Sequence, residues 1–267
     1  MAASALDAVD RLALRLLEEK DGLAVLGLCG AQGSGKSTLA QALLARMGAR
    51  GVASAILSID DLYLTKGERE VLAGSVHPLL RTRGVPGTHD VALGLRVLDA
   101  LAAGRAACLP RFDKAVDDRL PESAWPEAGA GLRLLILEGW CVGARAQEAG
   151  ALDAPVNVLE RDEDGDGRWR RFVNAALVGD YQTLFGRIDA LALLAAPGFD
   201  VVQGWRTQQE AALRAGGGSA VMNDAQVARF IQHYERLTRH ILAEMPARAD
   251  LVVALDAERG VTAVRSR

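Results

Sequence analysis

The run Gly30-Ala31-Gln32-Gly33-Ser34-Gly35-Lys36-Ser37 spaces two glycines, a lysine and a hydroxyl in the pattern GxxxxGK[ST]. Each residue type has a separate task. The glycines let backbone amides turn inward around a phosphate without a Cβ in the way. A helix opening at Lys36 would add the favourable end of its dipole to the same anion. Lys36 would reach the β- and γ-phosphates, the Ser37 hydroxyl would ligate Mg²⁺, and Thr38 would help at the α-phosphate. The chemistry expected here is nucleoside triphosphate binding.

Two further acidic positions follow apolar runs. In Leu57-Ser-Ile-Asp60-Asp61-Leu-Tyr63 the carboxylates come directly after a strand candidate. In a parallel sheet, ligands sit beyond the carboxyl ends of the strands. A carboxylate there can take the proton of an attacking hydroxyl, or it can simply be solvated or cap a following helix. Glu138 ends Leu134-Leu-Ile-Leu137 and occupies the usual place of a Walker B acid, where it would support the Mg²⁺ shell.

These residues need a scaffold, and the pattern of apolar runs supplies one. Residues 1–20 read as an amphipathic helix. Strands are expected over Leu23–Cys29, Val52–Ile59, Leu132–Glu138, Ala190–Ala195 and, as the last, Leu251–Leu255. Helices are expected over Ser37–Arg46, His89–Ala103 and Val221–Met245. Thr65–Gly87 reads as a long polar loop or insertion, and such loops are more often functional than idle. Short non-alternating strands separated by helices predict an α/β fold with a mostly parallel sheet, flanked by helices on both faces. The 267 residues fit a single domain carrying a lid.

Bulk properties narrow the function classes. The net charge of −3 gives no broad basic field, so no nucleic acid or membrane partner is expected. Cys29, Cys108 and Cys141 form no CxxC pair, which argues against a disulfide framework or a zinc site. His77, His233 and His240 offer no zinc-ligand pairing either. Met1–Asp10 lacks the features of a signal peptide, and no window has the apolar length of a membrane helix, so a cytoplasmic location is expected. No obligate protein partner is inferred.

Together, Gly30–Thr38, Ser58–Tyr63, Arg83-Gly-Val-Pro-Gly-Thr-His-Asp90, Pro110-Arg-Phe-Asp-Lys114 and Leu137-Glu-Gly-Trp140 resemble D-glycerate 3-kinases of the plant and fungal type. So do the segments from Asn174 to Tyr181, Trp205–Glu210 and Met222–Leu242. That group belongs to the P-loop NTPase kinases that include pantothenate kinase, uridine kinase and phosphoribulokinase. The resemblance implies a kinase using ATP and Mg²⁺ to phosphorylate a small acid, D-glycerate first. It implies Asp60, rather than Asp61, as the base and Glu138 as the Walker B acid. Arg206 falls in a lid helix over 200–215, where it would close on the transferring phosphate. An acceptor-site insertion over 65–120 would contribute Arg83, His89, Asp90, Lys114 and Arg119, with Arg83 and Lys114 gripping a carboxylate. The base pocket is implied to involve the loop after Leu255.

Two other patterns lead elsewhere. Asp162, Asp164, Asp166 and Gly167 imitate the front of an EF-hand loop, but Val173 stands where the closing glutamate is needed. The charged stretch 160–171 reads as a solvated loop. A guanine-specific switch would carry Asn-Lys-x-Asp, and none of Asn157, Asn174 or Asn223 precedes a lysine. Uridine, pantothenate or a sugar phosphate remain the alternative acceptors, and a nucleotide-dependent assembly ATPase the alternative class.

Overall fold

The computed structural model describes residues 4–215 and 222–267. Among these, the main sheet has six strands: β1 (Ala24–Gly30), β2 (Ser54–Ser58), β3 (Leu134–Gly139), β4 (Ala190–Ala195), β5 (Leu251–Leu255) and β6 (Val261–Ser266). Their order is β6-β5-β4-β1-β3-β2. All neighbours run parallel except β6, which returns antiparallel on β5. The helices are α1 (Ala5–Glu19), α2 (Lys36–Ala49), α3 (Lys66–Ser75), α4 (Val91–Ala102), α5 (Val158–Glu163), α6 (Arg168–Val178), α7 (Asp180–Phe185), α8 (Asp200–Ala215) and α9 (Asp224–Glu244). No helix among the described residues is long and apolar enough to cross a membrane.

The two-residue period of the strands divides the core into two layers. Ala24, Leu26 and Leu28 of β1 point with Leu134 and Ile136 of β3 toward α1, α2 and Trp205 of α8. Val25 and Cys29 point with Leu135 and Leu137 toward α4, α7 and α9. The central strands β1 and β3 are therefore apolar on both faces, which is why their sequences do not alternate. Truncating a fully buried member such as Leu26 to alanine would cost about 2–5 kcal/mol.

Four expectations need correction. Ile59 leaves β2 and begins a one-turn 3-10 helix, Ile59–Leu62, because the Ser58 hydroxyl accepts the Asp60 amide and turns the chain. The expected loop 65–87 contains α3, started by a reciprocal Thr65–Glu68 capping box, and a second 3-10 turn at Pro78–Arg81. Leu255 does not close the sheet, since β6 follows it. The stretch 160–171 is not a solvated loop, for it covers parts of α5 and α6 and buries three charged residues. Glu160 takes the fork of Arg236 at 2.7 and 2.6 Å, and Asp164 accepts the Trp169 amide and the Arg170 guanidinium. Buried charges persist there because each has a partner.

Boundaries differ in smaller ways. α4 begins at Val91, capped by Asp90, and α9 begins at Asp224, capped by Asn223. Val221 and the first three positions of the N-terminal helix 1–20 lie outside the described residues.

Candidate active site

The chain turns sharply after β1. Gly33 and Gly35 adopt φ of 77° and 86°, conformations that a side chain would strain. Gly35 then serves as N-cap of α2, and Lys36 is its first residue. A Cβ on Gly30 would lie 2.7 Å from Ser34 Oγ, so the turn closes only around glycine. Ser34 Oγ is buried and has no protein partner among the described residues. That hydroxyl is a free donor inside an anion cradle.

Glu138 sits level with Leu28 of β1 and Ser58 of β2 in the sheet register. Its Oε1 accepts the Ser37 hydroxyl at 3.1 Å, while its buried Oε2 has no protein partner among the described residues. A buried carboxylate oxygen left unsatisfied is costly unless an ion or water completes it. One hydroxyl and one free carboxylate oxygen form a donor set suited to a hard divalent cation.

Asp60 stands at the exit of β2, beside that cradle. Its Oδ1 accepts the Tyr63 hydroxyl at 2.6 Å and its Oδ2 accepts the Lys114 ammonium at 2.6 Å. Burial alone would raise its pKa, but Lys114, then Lys36, with the hydrogen bonds of Lys114 and Tyr63, hold it well below the usual carboxylate range. The phosphate-loop lysine is thus near enough for its charge to act on Asp60. Asp61 is occupied differently. Its Oδ1 accepts the Phe112 amide at 3.0 Å and its Oδ2 the Arg111 guanidinium at 3.2 Å, and burial raises its pKa. It ties the Phe112–Asp113 strand to the end of β2.

The segment 65–128 wraps this acid, and within it α4, Leu109 and Ala128 join the core beneath the sheet. Residues 62–64 and 88–90 pair through Leu64 N–Thr88 O, Asp90 N–Leu62 O and a bridge between Tyr63 and His89. His89 is buried, and burial pushes its imidazole down to about 4. The Gly87 amide donates to Tyr181 Oη at 3.0 Å, and that hydroxyl lies 2.5 Å from His89 Nδ1. The arrangement that satisfies all three groups has the phenol donating to Nδ1, with the neutral ring's proton on Nε2. Nε2 has no protein partner among the described residues.

The basic residues around Asp60 are mostly spent. Arg69, 1% exposed, bonds to Leu64 O, Arg81 O and Asp117. Arg83 pairs with Asp117 and lies over the Phe112 ring. Arg119 bonds to Tyr63 O and Asp90, whose other oxygen caps α4. Asp90 therefore has both oxygens engaged in holding the fold.

Arg206 is on α8, the helix that spans the expected 200–215. Its guanidinium pairs with Glu210 of the same helix and lies over the Phe230 ring. The preceding Trp205 is what meets the phosphate loop. A Cβ on Gly33 would lie 2.6 Å from Trp205 Cβ, and the indole N–H donates to Ala257 O at 2.6 Å. Arg259, at φ 70°, stacks on the same indole at 5.0 Å and donates through Nε to Gly33 O at 2.5 Å.

Sequence reasoning missed the roles of Tyr63, Tyr181, Trp205 and Arg259. Tyr63 was legible, since a side chain three positions after Asp60 in a helical turn faces it. The other three contacts span large sequence separations and leave no local signal.

No family model matches the chain. An uncharacterized kinase of Schizosaccharomyces pombe, mug58, is 37% identical over 220 residues, covering 79% of this chain and 78% of the relative. The chloroplastic D-glycerate 3-kinase of Arabidopsis thaliana is 31% identical over 272 residues, covering 94% of this chain, which spans 57% of that relative's length. The solved D-glycerate 3-kinase of Cryptococcus neoformans var. grubii superposes with a TM-score of 0.84 at 24% identity, over 100% of each chain.

Proposed function

Because the chain belongs to the family of P-loop kinases that includes plant D-glycerate 3-kinase, we propose that it transfers the γ-phosphoryl group of ATP to a hydroxyl of a small organic acid, first of all D-glycerate. The observation that carries this reading is the placement of Asp60. It stands between the phosphate cradle, whose Lys36 charge acts on it, and a flap, the wrapping segment 65–128, whose Lys114 reaches over it.

The residues divide the work. The amides from Gly33 to Thr38 and the Lys36 ammonium bind the phosphates and keep the γ-group in line. Asp60 accepts the proton of the attacking hydroxyl as its oxygen bonds to the γ-phosphorus. The bond to the β-phosphate oxygen breaks, and its electron pair leaves on ADP. Ser37 and Glu138 fit a Mg²⁺ ion, which when bound would neutralise charge on the phosphate oxygens. Lys114 and the His89 Nε2–H are the groups best placed to hold the acid. Arg206 completes the site only after exchanging Glu210 for the phosphate, a lid movement that would also exclude water.

The test is ADP release by the purified protein with ATP and Mg²⁺ against D-glycerate, L-glycerate, uridine, pantothenate and ribulose 5-phosphate. Products are identified by phosphorus NMR. D-glycerate is expected to give the highest kcat/KM. Turnover of another acceptor with none of glycerate would overturn the substrate while leaving a kinase.

A further inference from the structure

Tyr63 and Lys114 both bond to Asp60, yet the two bonds are built differently. Tyr63 is 4% exposed, wedged edge-on against Phe112 and beside His89. Its hydroxyl is a fixed, neutral donor. Lys114 lies in the turn between the paired dipeptides Phe112–Asp113 and Asp118–Arg119, and its side chain is 59% exposed. A long exposed chain held by one surface ion pair is easily exchanged.

Lys114 also differs from its basic neighbours. Arg69, Arg83, Arg111 and Arg119 are committed to Asp117, Asp61, Asp90 or backbone carbonyls. Among the described residues of this flap, Lys114 is the cation whose partner is the proposed base itself. With Tyr63 on one oxygen and Lys114 on the other, both oxygens of Asp60 are already hydrogen-bonded, and the Lys114 ammonium covers the carboxylate and lowers its basicity. The other titratable groups acting on it are Lys36, Asp61, His89, Tyr234 and Cys141. Of these only Lys36 is cationic, and the bound phosphates would neutralise it.

From this geometry we infer that Lys114 is a specificity switch: in the empty acceptor site it masks Asp60, and the carboxylate of an acidic acceptor draws it away and frees the base. The inference rests on the reading of an acidic acceptor and adds the means by which one is required. A neutral alcohol brings no anion to exchange for Asp60, so it meets a base that Lys114 still covers and weakens. Water meets the same covered base, which protects ATP from hydrolysis while the acceptor is absent.

D-lactate, which carries the carboxylate of glycerate without the 3-hydroxyl, separates the two steps. In its presence the wild type is expected to hydrolyse ATP roughly tenfold faster. A water oxygen then bonds to the γ-phosphorus, the bond to the β-phosphate oxygen breaks onto ADP, and the water proton passes to Asp60 and on to solvent. Lys114→Met should hydrolyse ATP faster without any acid, lose the response to D-lactate, and narrow the ratio of glycerate to glycerol kcat/KM. Lys114→Arg should keep the response. Hydrolysis indifferent both to D-lactate and to Lys114→Met overturns the switch, even if glycerate is phosphorylated. If glycerate is inert while D-lactate and Lys114→Met act as stated, the acceptor assignment fails and the switch stands.

Discussion

The hydroxyl of Ser37, on the first turn of α2, donates to Glu138 Oε1 at 3.1 Å, while Glu138 Oε2 lies buried without a protein partner among the described residues. The two residues are 101 positions apart and meet because β1 and β3 are adjacent in the sheet. Their pairing places a hydroxyl and a carboxylate oxygen together as a donor set suited to a hard cation.

Glu138→Gln removes the negative charge and keeps the shape. The Mg²⁺ concentration needed for half-maximal turnover should rise on the order of tenfold or more, with a lower kcat. A Mg²⁺ titration of initial rates measures both. An unchanged Mg²⁺ dependence would detach Glu138 from the metal.

Arg259→Ala removes the clamp on the Gly33 carbonyl and one face of the Trp205 contact. The loop then loses its fixed position against α8. KM for ATP should rise roughly tenfold with a smaller change in KM for the acceptor, because misplacement at the phosphates falls first on the nucleotide. Equal effects on both KM values would point to general destabilisation instead.

How much of this was legible in the chain depends on range. The cradle was readable because all its parts lie within nine consecutive residues, and Glu138 because four apolar residues precede it. The Thr65–Glu68 capping box was also present as a local pattern, and the polar composition around it concealed α3. The segment 160–171 misled for a different reason. Glu160 is buried only because Arg236, 76 positions later, reaches it, and charge alone reads as solvation. Arg259 meets Gly33 across 226 positions, which no local pattern encodes.

Asp61→Asn tests the division between the two adjacent acids. It weakens the bonds to Phe112 and Arg111, and a loss of about 1–3 kcal/mol in urea unfolding is expected. The rate of transfer should fall less than in Asp60→Asn. A larger kinetic loss from Asp61→Asn would reverse the assignment.

Acid should weaken the fold through its buried imidazoles. Burial lowers both His89 and His233 from the ordinary 6.5 to about 4. Between these values the unfolded chain binds protons that the native state does not, so stability is full above about 6.5 and falls as pH drops toward 4. The loss is on the order of a few kcal/mol per imidazole. Urea midpoints from pH 7.5 to 4.5 measure it, and His233→Phe should flatten the slope. A slope unchanged by that substitution would place the protons elsewhere.

Asp60→Asn addresses the central claim most directly, that a strand-end carboxylate deprotonates the acceptor above an intact phosphate cradle. The variant should bind ATP as the wild type does by calorimetry, and its kcat for glycerate phosphorylation should fall on the order of a hundredfold to ten-thousandfold. Wild-type kcat with the amide in place would contradict the account.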